Sequence, residues 1–200
     1  MTKKWKIIIS ILFLISAISV SGWIYNRNYR TNYNIEIGQA VDSLNHVMVY
    51  YNGDVGNTSG RNLTIDNYNL GKKYQCVEFV KRYYYEHLNH KMPDSYGHAK
   101  DFFNRSVRDG QINEQRNLIQ YTNPSYCKPQ ISDLIIFDGT AGNKYGHVAI
   151  ISNVTDREIE IVQQNPGKFG KSRITIPINY KNDKWEVDNS RILGWLRKDI

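Results

Sequence analysis

Between Ile7 and Tyr25 the chain carries no charged side chain, and Lys3, Lys4 and Lys6 stand immediately before this run. A helix over those residues is long enough for the roughly 30 Å apolar core of a bilayer. It is also longer than the apolar stretch of about 7–15 residues in a cleaved signal peptide. Four serines (Ser10, Ser16, Ser19, Ser21) dilute the run, and Val20-Ser21-Gly22 offers a small-residue cleavage site. An uncleaved anchor is therefore favoured over a cleaved signal. A buried core helix fits poorly, because lysines crowd one end and no apolar periodicity appears. The lysines favour a cytoplasmic N-terminus, with Arg27 and Arg30 weakening the bias. The expected arrangement is a membrane contact through residues 7–25 with the remainder outside the cytoplasm, or a secreted or periplasmic chain if the signal is cut.

That segment takes three lysines out of the charge balance. The whole chain has 26 Lys+Arg against 19 Asp+Glu; without residues 1–25 the balance is 23 against 19, or +4. Such a mildly basic domain with no Lys/Arg cluster predicts no nucleic-acid partner. Two cysteines, Cys76 and Cys127, exclude a disulfide scaffold and a four-cysteine zinc site.

Residues 1–25 are read as signal peptide or anchor, 26–35 as a polar linker and 36–200 as one domain. Ile37, Ala40, Val41 and Leu44 have helical spacing, which predicts a first helix over 36–48. Residues 52–62 read as a loop; they lack the acidic spacing and closing glutamate of a calcium loop. Residues 76–90 give the best helical pattern, stopped by Pro93, and a further helix is expected over 97–105. Afterwards short β-branched runs appear at 133–137, 147–152, 158–164, 173–176 and 192–196, separated by turn residues. Helices followed by antiparallel strands predict an α+β fold.

Cys76 lies where the best helix begins, a position whose free N–H groups and dipole favour a thiolate. Taken alone, a buried structural cysteine is the commoner reading. Among His46, His87, His90, His98 and His147, only His147 opens an apolar strand directly after a turn. His87 and His90 read as helix-end residues, and a metal site of His87, His90 and His98 is not expected because no acidic or cysteine ligand completes it. A strand-end histidine can face a helix-start cysteine as its base. Alternation along the next strand puts Ile159, Ile161, Gln163 and Asn165 on one face, so two amides continue an apolar row. Either can receive the Nδ1–H of His147 and turn Nε2 to the sulfur. Cys127, in a Pro-flanked loop, is expected to remain unpaired.

Three blocks, Tyr74-Gln75-Cys76-Val77-Glu78-Phe79-Val80, Tyr145-Gly146-His147-Val148-Ala149-Ile150 and Gln163-Gln164-Asn165, together resemble the CHAP domain family of cysteine- and histidine-dependent amidohydrolases. Within it the blocks especially resemble bacterial glutathionylspermidine amidase domains, as does Ile192-Leu-Gly-Trp195. The similarity spans about residues 36–198. It implies a papain-like α+β fold with N-terminal helices on an antiparallel sheet and thiol-dependent amide hydrolysis, with no cofactor or metal. Many members cut peptidoglycan, at the muramoyl–L-alanine bond or within its peptides. By position Cys76 is the nucleophile, His147 the general base and acid, and Gln163 the orienting residue, with Asn165 nearby. The family usually carries an acid where this chain has Gln163. Glutamine can accept the imidazole N–H but adds no charge, so Asn165 stays open as the orienter. Gln75 is a candidate oxyanion donor with the Cys76 backbone N–H. The implied activity is a monomeric thiol amidase or endopeptidase on peptidoglycan or another amide substrate. The alternatives are an amidase for a small glutathione–polyamine conjugate and an inactive envelope-binding module.

Overall fold

A computed structural model describes residues 2–33 and 35–199; the side chains of 26–33 lie outside the described residues. The chain divides into two compact units, residues 1–36 and 37–200. The first holds helix α1 (Lys3–Tyr33), whose Lys3–Tyr25 part is long and apolar enough to cross a membrane. Of the linker read over 26–35, the backbone of 26–33 is helical and residue 34 lies outside the described residues.

The second unit begins with a hairpin where a helix was expected. β1 (Ala40–Leu44) pairs antiparallel with β2 (Val47–Tyr50), Leu44 facing Val47 across the two-residue turn Asn45-His46. Both turn residues have positive φ, 47° and 69°, a pairing that matches the twist of hairpin strands. In β2 the period is two: Val47 and Val49 are buried while Met48 is exposed. Tertiary burial of that alternation overrides the coincidental helical spacing of residues 37–44. After the loop of residues 52–60, β3 (Arg61–Leu63) and β4 (Asn69–Lys72) form a second small hairpin.

Helix α2 (Cys76–Glu86) follows. It stops short of the expected residue 90 because Asn89 takes a left-handed φ of 49° and turns the chain away. The helix expected over 97–105 is a single 3₁₀ turn, Ala99–Phe102. Eight strands then build one antiparallel sheet: β5 (Gln111–Asn113), β6 (Leu118–Thr122), β7 (Leu134–Phe137), β8 (His147–Val154), β9 (Glu158–Val162), β10 (Arg173–Lys181), β11 (Lys184–Val187) and β12 (Ile192–Arg197). Their spatial order is β11-β10-β9-β8-β7-β12-β6-β5.

Both faces of the sheet are apolar, which explains why β7 is buried at all four positions. On one face Leu134, Ile136, Val148, Ile150 and Leu196 pack against Phe79, Val80, Tyr83 and Tyr84 of α2. On the other, Ile135, Ala149, Ile161, Ile176, Val187 and Trp195 form a second cluster. The segment after β6 reaches β11, with reciprocal backbone bonds between Ser125 and Trp185 of 2.9 and 2.7 Å. The sheet thereby curls round the second cluster, and α2 closes the first. The α+β architecture agrees with a papain-like fold, with one helix rather than several on the sheet.

Candidate active site

The N-terminus of α2 meets the N-terminal end of β8, and this junction assembles the site. Gln75 is the helix N-cap with φ −84° and ψ 158°, and its side chain makes no capping bond. The helix start is held close to β4 because Gly71 has φ +122°, and a Cβ there would stand 3.4 Å from the Glu78 nitrogen. Cys76, the first helical residue, is buried at 9% exposure. Its sulfur receives backbone N–H groups from Val148, Val77 and its own residue, which favour the thiolate, but burial outweighs them and pushes the thiol pKa up. The helix start alone therefore does not give the resting thiolate that the sequence led one to expect. The Val148 contact sets Cys76 beside the first residues of β8.

His147 opens β8 opposite Phe137 of β7, and its ring lies 5.8 Å from the phenyl group. Gly146, with φ +75°, makes this approach possible: a Cβ there would stand 2.5 Å from the Phe137 carbonyl oxygen. Burial pushes the imidazole down to about 4; the bond to Gln163 opposes this, and the nearby charge of Arg191 adds to it. Burial thus disfavours the charged form of both groups.

The His147 Nε2 lies 2.9 Å from the Gln163 Oε1. The orientation of that amide is fixed from its other end, since Gln163 Nε2 donates to the Lys171 carbonyl at 2.9 Å. Oε1 can only accept, so His147 Nε2 carries the hydrogen and Nδ1 holds the lone pair. This reverses the ring assignment expected from sequence, in which Nδ1 met the amide. The reason is geometric: β9 lies beside β8, and the ring edge turned towards Gln163 bears Nε2.

Asn165 does not bond His147. Its Nδ2 donates to Gln75 Oε1 at 2.8 Å and to the Val55 carbonyl at 3.1 Å, while its Oδ1 is buried with no hydrogen-bond partner among the described residues. It adopts a left-handed φ of 58°, which asparagine tolerates. The Gln75 side chain is also occupied: Nε2 donates to the carbonyls of Asn57 at 2.6 Å and Val55 at 3.3 Å. Both amide hydrogens are committed to the 52–60 loop, so an oxyanion role for this side chain requires those bonds to open. The Cys76 backbone N–H needs no such rearrangement.

Sequence reasoning missed Gln164, Glu78 and Arg82, all buried beside the site. The available signal was Glu78 and Arg82, an i,i+4 pair of opposite charge at the start of the helix; their N–O distance is 2.6 Å. Cys127 is unpaired with Cys76, and its sulfur lies 3.1 Å from Arg197 Nη1. His90 is a packing residue, with Nε2 2.9 Å from the Arg116 carbonyl. Among the described residues no group of three His, Cys, Asp or Glu side chains is placed to hold a metal ion.

The family model of the CHAP domain matches residues 66–165, a span containing Cys76, His147, Gln163 and Asn165. Trypanothione synthetase of Crithidia fasciculata is 31% identical over 154 residues, covering 77% of this chain and 22% of that protein. The bifunctional glutathionylspermidine synthetase/amidase of Escherichia coli K12 is 31% identical over 143 residues, 66% of this chain and 23% of that enzyme. The chain thus spans about a fifth of the length of these relatives. A solved structure of Ly7917 with the hydrolyzing product of MDP shares 24% identity over 38% of this chain and 30% of that one, at a TM-score of 0.26, too slight a likeness to inform the site. Since the match covers half of the chain and contains both the cysteine at the helix start and the histidine at the strand end, the chain belongs to the CHAP domain family, cysteine- and histidine-dependent amidohydrolases.

Proposed function

We propose that this chain is a membrane-anchored or exported thiol amidase or endopeptidase that cleaves amide bonds of peptidoglycan. The observation that carries the reading is the Cys76–His147–Gln163 arrangement on a chain whose Lys3–Tyr25 helix can cross a membrane. Cys76 Sγ attacks the amide carbonyl while His147 Nδ1 takes the thiol proton. The oxyanion forms next to the Cys76 backbone N–H. The C–N bond breaks as His147 returns the proton to the leaving amine, leaving a thioester at Cys76. Water, deprotonated by the same Nδ1, attacks the thioester; the acid departs and the thiol is restored. Gln163 holds the ring in the tautomer this requires. Burial disfavours both the thiolate and the imidazolium, so proton transfer accompanies attack.

Purified residues 37–200 should release new amino groups from suspended cell walls, and Cys76→Ala should abolish the release without loss of fold. Mass spectrometry of the soluble fragments identifies the bond. Undiminished hydrolysis by that variant overturns the thiol mechanism. The similarity to glutathionylspermidine synthetase/amidase favours a second reading, hydrolysis of a small glutathione–polyamine conjugate. Release of free spermidine from glutathionylspermidine, with cell walls left intact, would establish it. Failure on both substrates by a chain whose Cys76 is intact leaves the inactive envelope-binding module.

A further inference from the structure

Between Gln163 and Asn165 stands a third amide, Gln164, whose side chain is fully buried. Both of its amide hydrogens and its oxygen are engaged. Oε1 accepts the Tyr50 backbone N–H at 2.7 Å. Nε2 donates to Glu78 Oε2 at 2.8 Å and to the Gln75 carbonyl at 3.0 Å. Glu78 in turn accepts Arg82 Nε at 2.6 Å and Asn62 Nδ2 at 2.8 Å, and Arg82 Nη2 donates to the Met48 carbonyl at 2.8 Å. This chain of bonds joins α2, β2, β3 and the end of β9.

The Gln75 carbonyl belongs to the peptide unit whose N–H is that of Cys76. A donor placed on a peptide oxygen draws electron density from its nitrogen and strengthens the N–H as a donor. Glu78, whose charge Arg82 balances, accepts the other amide hydrogen and so fixes the plane of the group. The same backbone also carries Gln163, one residue before Gln164. One amide therefore governs two distances: Cys76 to its own N–H partner, and the helix start to the residue that orients His147.

We infer that Gln164 is a positioning residue for the thiol, fixing and polarising the Gln75–Cys76 peptide and holding the helix start against the Gln163–His147 pair. Glutamine suits the task because it offers two donors and an acceptor in one plane without a charge of its own. Glutamate would set a second carboxyl against Glu78, and methionine would fill the space with no polar contact. The inference rests on Cys76 being the nucleophile.

The test reads the thiol directly and needs no substrate. Full-length chain in mild detergent is alkylated with iodoacetamide across pH 6–10, following Cys76 by mass spectrometry. Gln164→Met is compared with Glu78→Gln, which also damages the buried network but keeps an acceptor for the Gln164 amide. Loss of one such bond, worth about 0.5–1.5 kcal/mol, corresponds to a roughly three- to tenfold slower reaction and a midpoint higher by about half to one pH unit. Gln164→Met should show both changes, and Glu78→Gln should lower the melting temperature with a much smaller change in the profile. If Gln164→Met does not fold, Gln164→Glu, which retains the acceptor for Tyr50, is judged by the same criterion. A folded Gln164 variant with the wild-type profile overturns the inference; so does an equal shift in Glu78→Gln. Failure of Cys76→Ala to stop amide hydrolysis is a separate outcome, one that removes the nucleophile assignment itself.

Discussion

Replacing Gln163 with glutamate should change the resting chemistry of the pair. In the native site burial raises the Cys76 thiol and pushes His147 down to about 4. Burial thus disfavours the charged form of both groups. A carboxylate at the Gln163 position would lie where Oε1 now stands, 2.9 Å from Nε2, with charge centres about 4 Å apart. At an effective dielectric constant of about 20 this attraction is roughly 4 kcal/mol, or about three pH units on the imidazole. Two losses reduce it. The new charge is itself desolvated, since residue 163 is only 6% exposed, and the bond from Nε2 to the Lys171 carbonyl disappears. A net rise of one to two units is expected, which raises the ion-pair population about 10- to 100-fold. The rise is read on the imidazole itself: the His147 titration, followed by NMR, should move up by the same amount into the range of about pH 5–6. A variant that keeps its fold and retains the native pH profile there would refute the assignment of Gln163 as the residue that sets His147. The same experiment on Asn165→Asp should leave the profile close to native, because Asn165 does not touch the ring.

Stability should depend on pH through His147. Its folded pKa, about 4, lies below the unfolded value near 6.5, so the unfolded chain binds the extra proton between these values. The stability contribution is intact above pH 6.5 and falls by about 3 kcal/mol as pH drops to 4; urea unfolding should show this slope, reduced in His147→Gln. Arg197→Met should cost about 3–5 kcal/mol, because Asp133, 1% exposed, loses guanidinium bonds of 2.8 and 2.7 Å and stays buried as a lone carboxylate. Adding Asp133→Asn to that variant should recover part of the loss, and full additivity of the two costs would count against the pair. Gly146→Ala should lower melting temperature and hydrolysis together, since its Cβ meets the Phe137 carbonyl at 2.5 Å and His147 must move; unaltered hydrolysis would show that the strand entry is adjustable.

The parts of the molecule that could be read in advance are those where one period dominates. Phe79, Val80, Tyr83 and Tyr84 repeat as a helix face and pack as one, and the β-branched runs from Leu134 onward became strands. The hairpin over residues 40–50 was misread because Ile37, Ala40, Val41 and Leu44 mimic a helical stripe. Its turn, Asn45-His46, also lacks the glycine that usually announces such a pair of positive φ values. Strand β6 was missed because Gln120 is buried in its middle for bonding: Oε1 accepts the Asn104 N–H and Nε2 donates to the Asn104 carbonyl, both at 2.9 Å. For the site, residue types at a helix start and a strand end were legible. Which imidazole nitrogen faces the amide was not, because that depends on the offset between β8 and β9 and on a bond to Lys171 from a different loop.

The place of β12 in the sheet has a consequence for how the chain is made. Ile192–Arg197 lies between β7 and β6, so the strand latest in chain order is the one that joins the two parts of the sheet. During synthesis β7 to β11 can pair as a meander and β5 with β6 as a hairpin, but neither can close over its apolar face until those six residues arrive. Pairings of such long sequence separation form late. A chain that emerges N-terminus first therefore carries the two parts of its sheet before the strand that joins them.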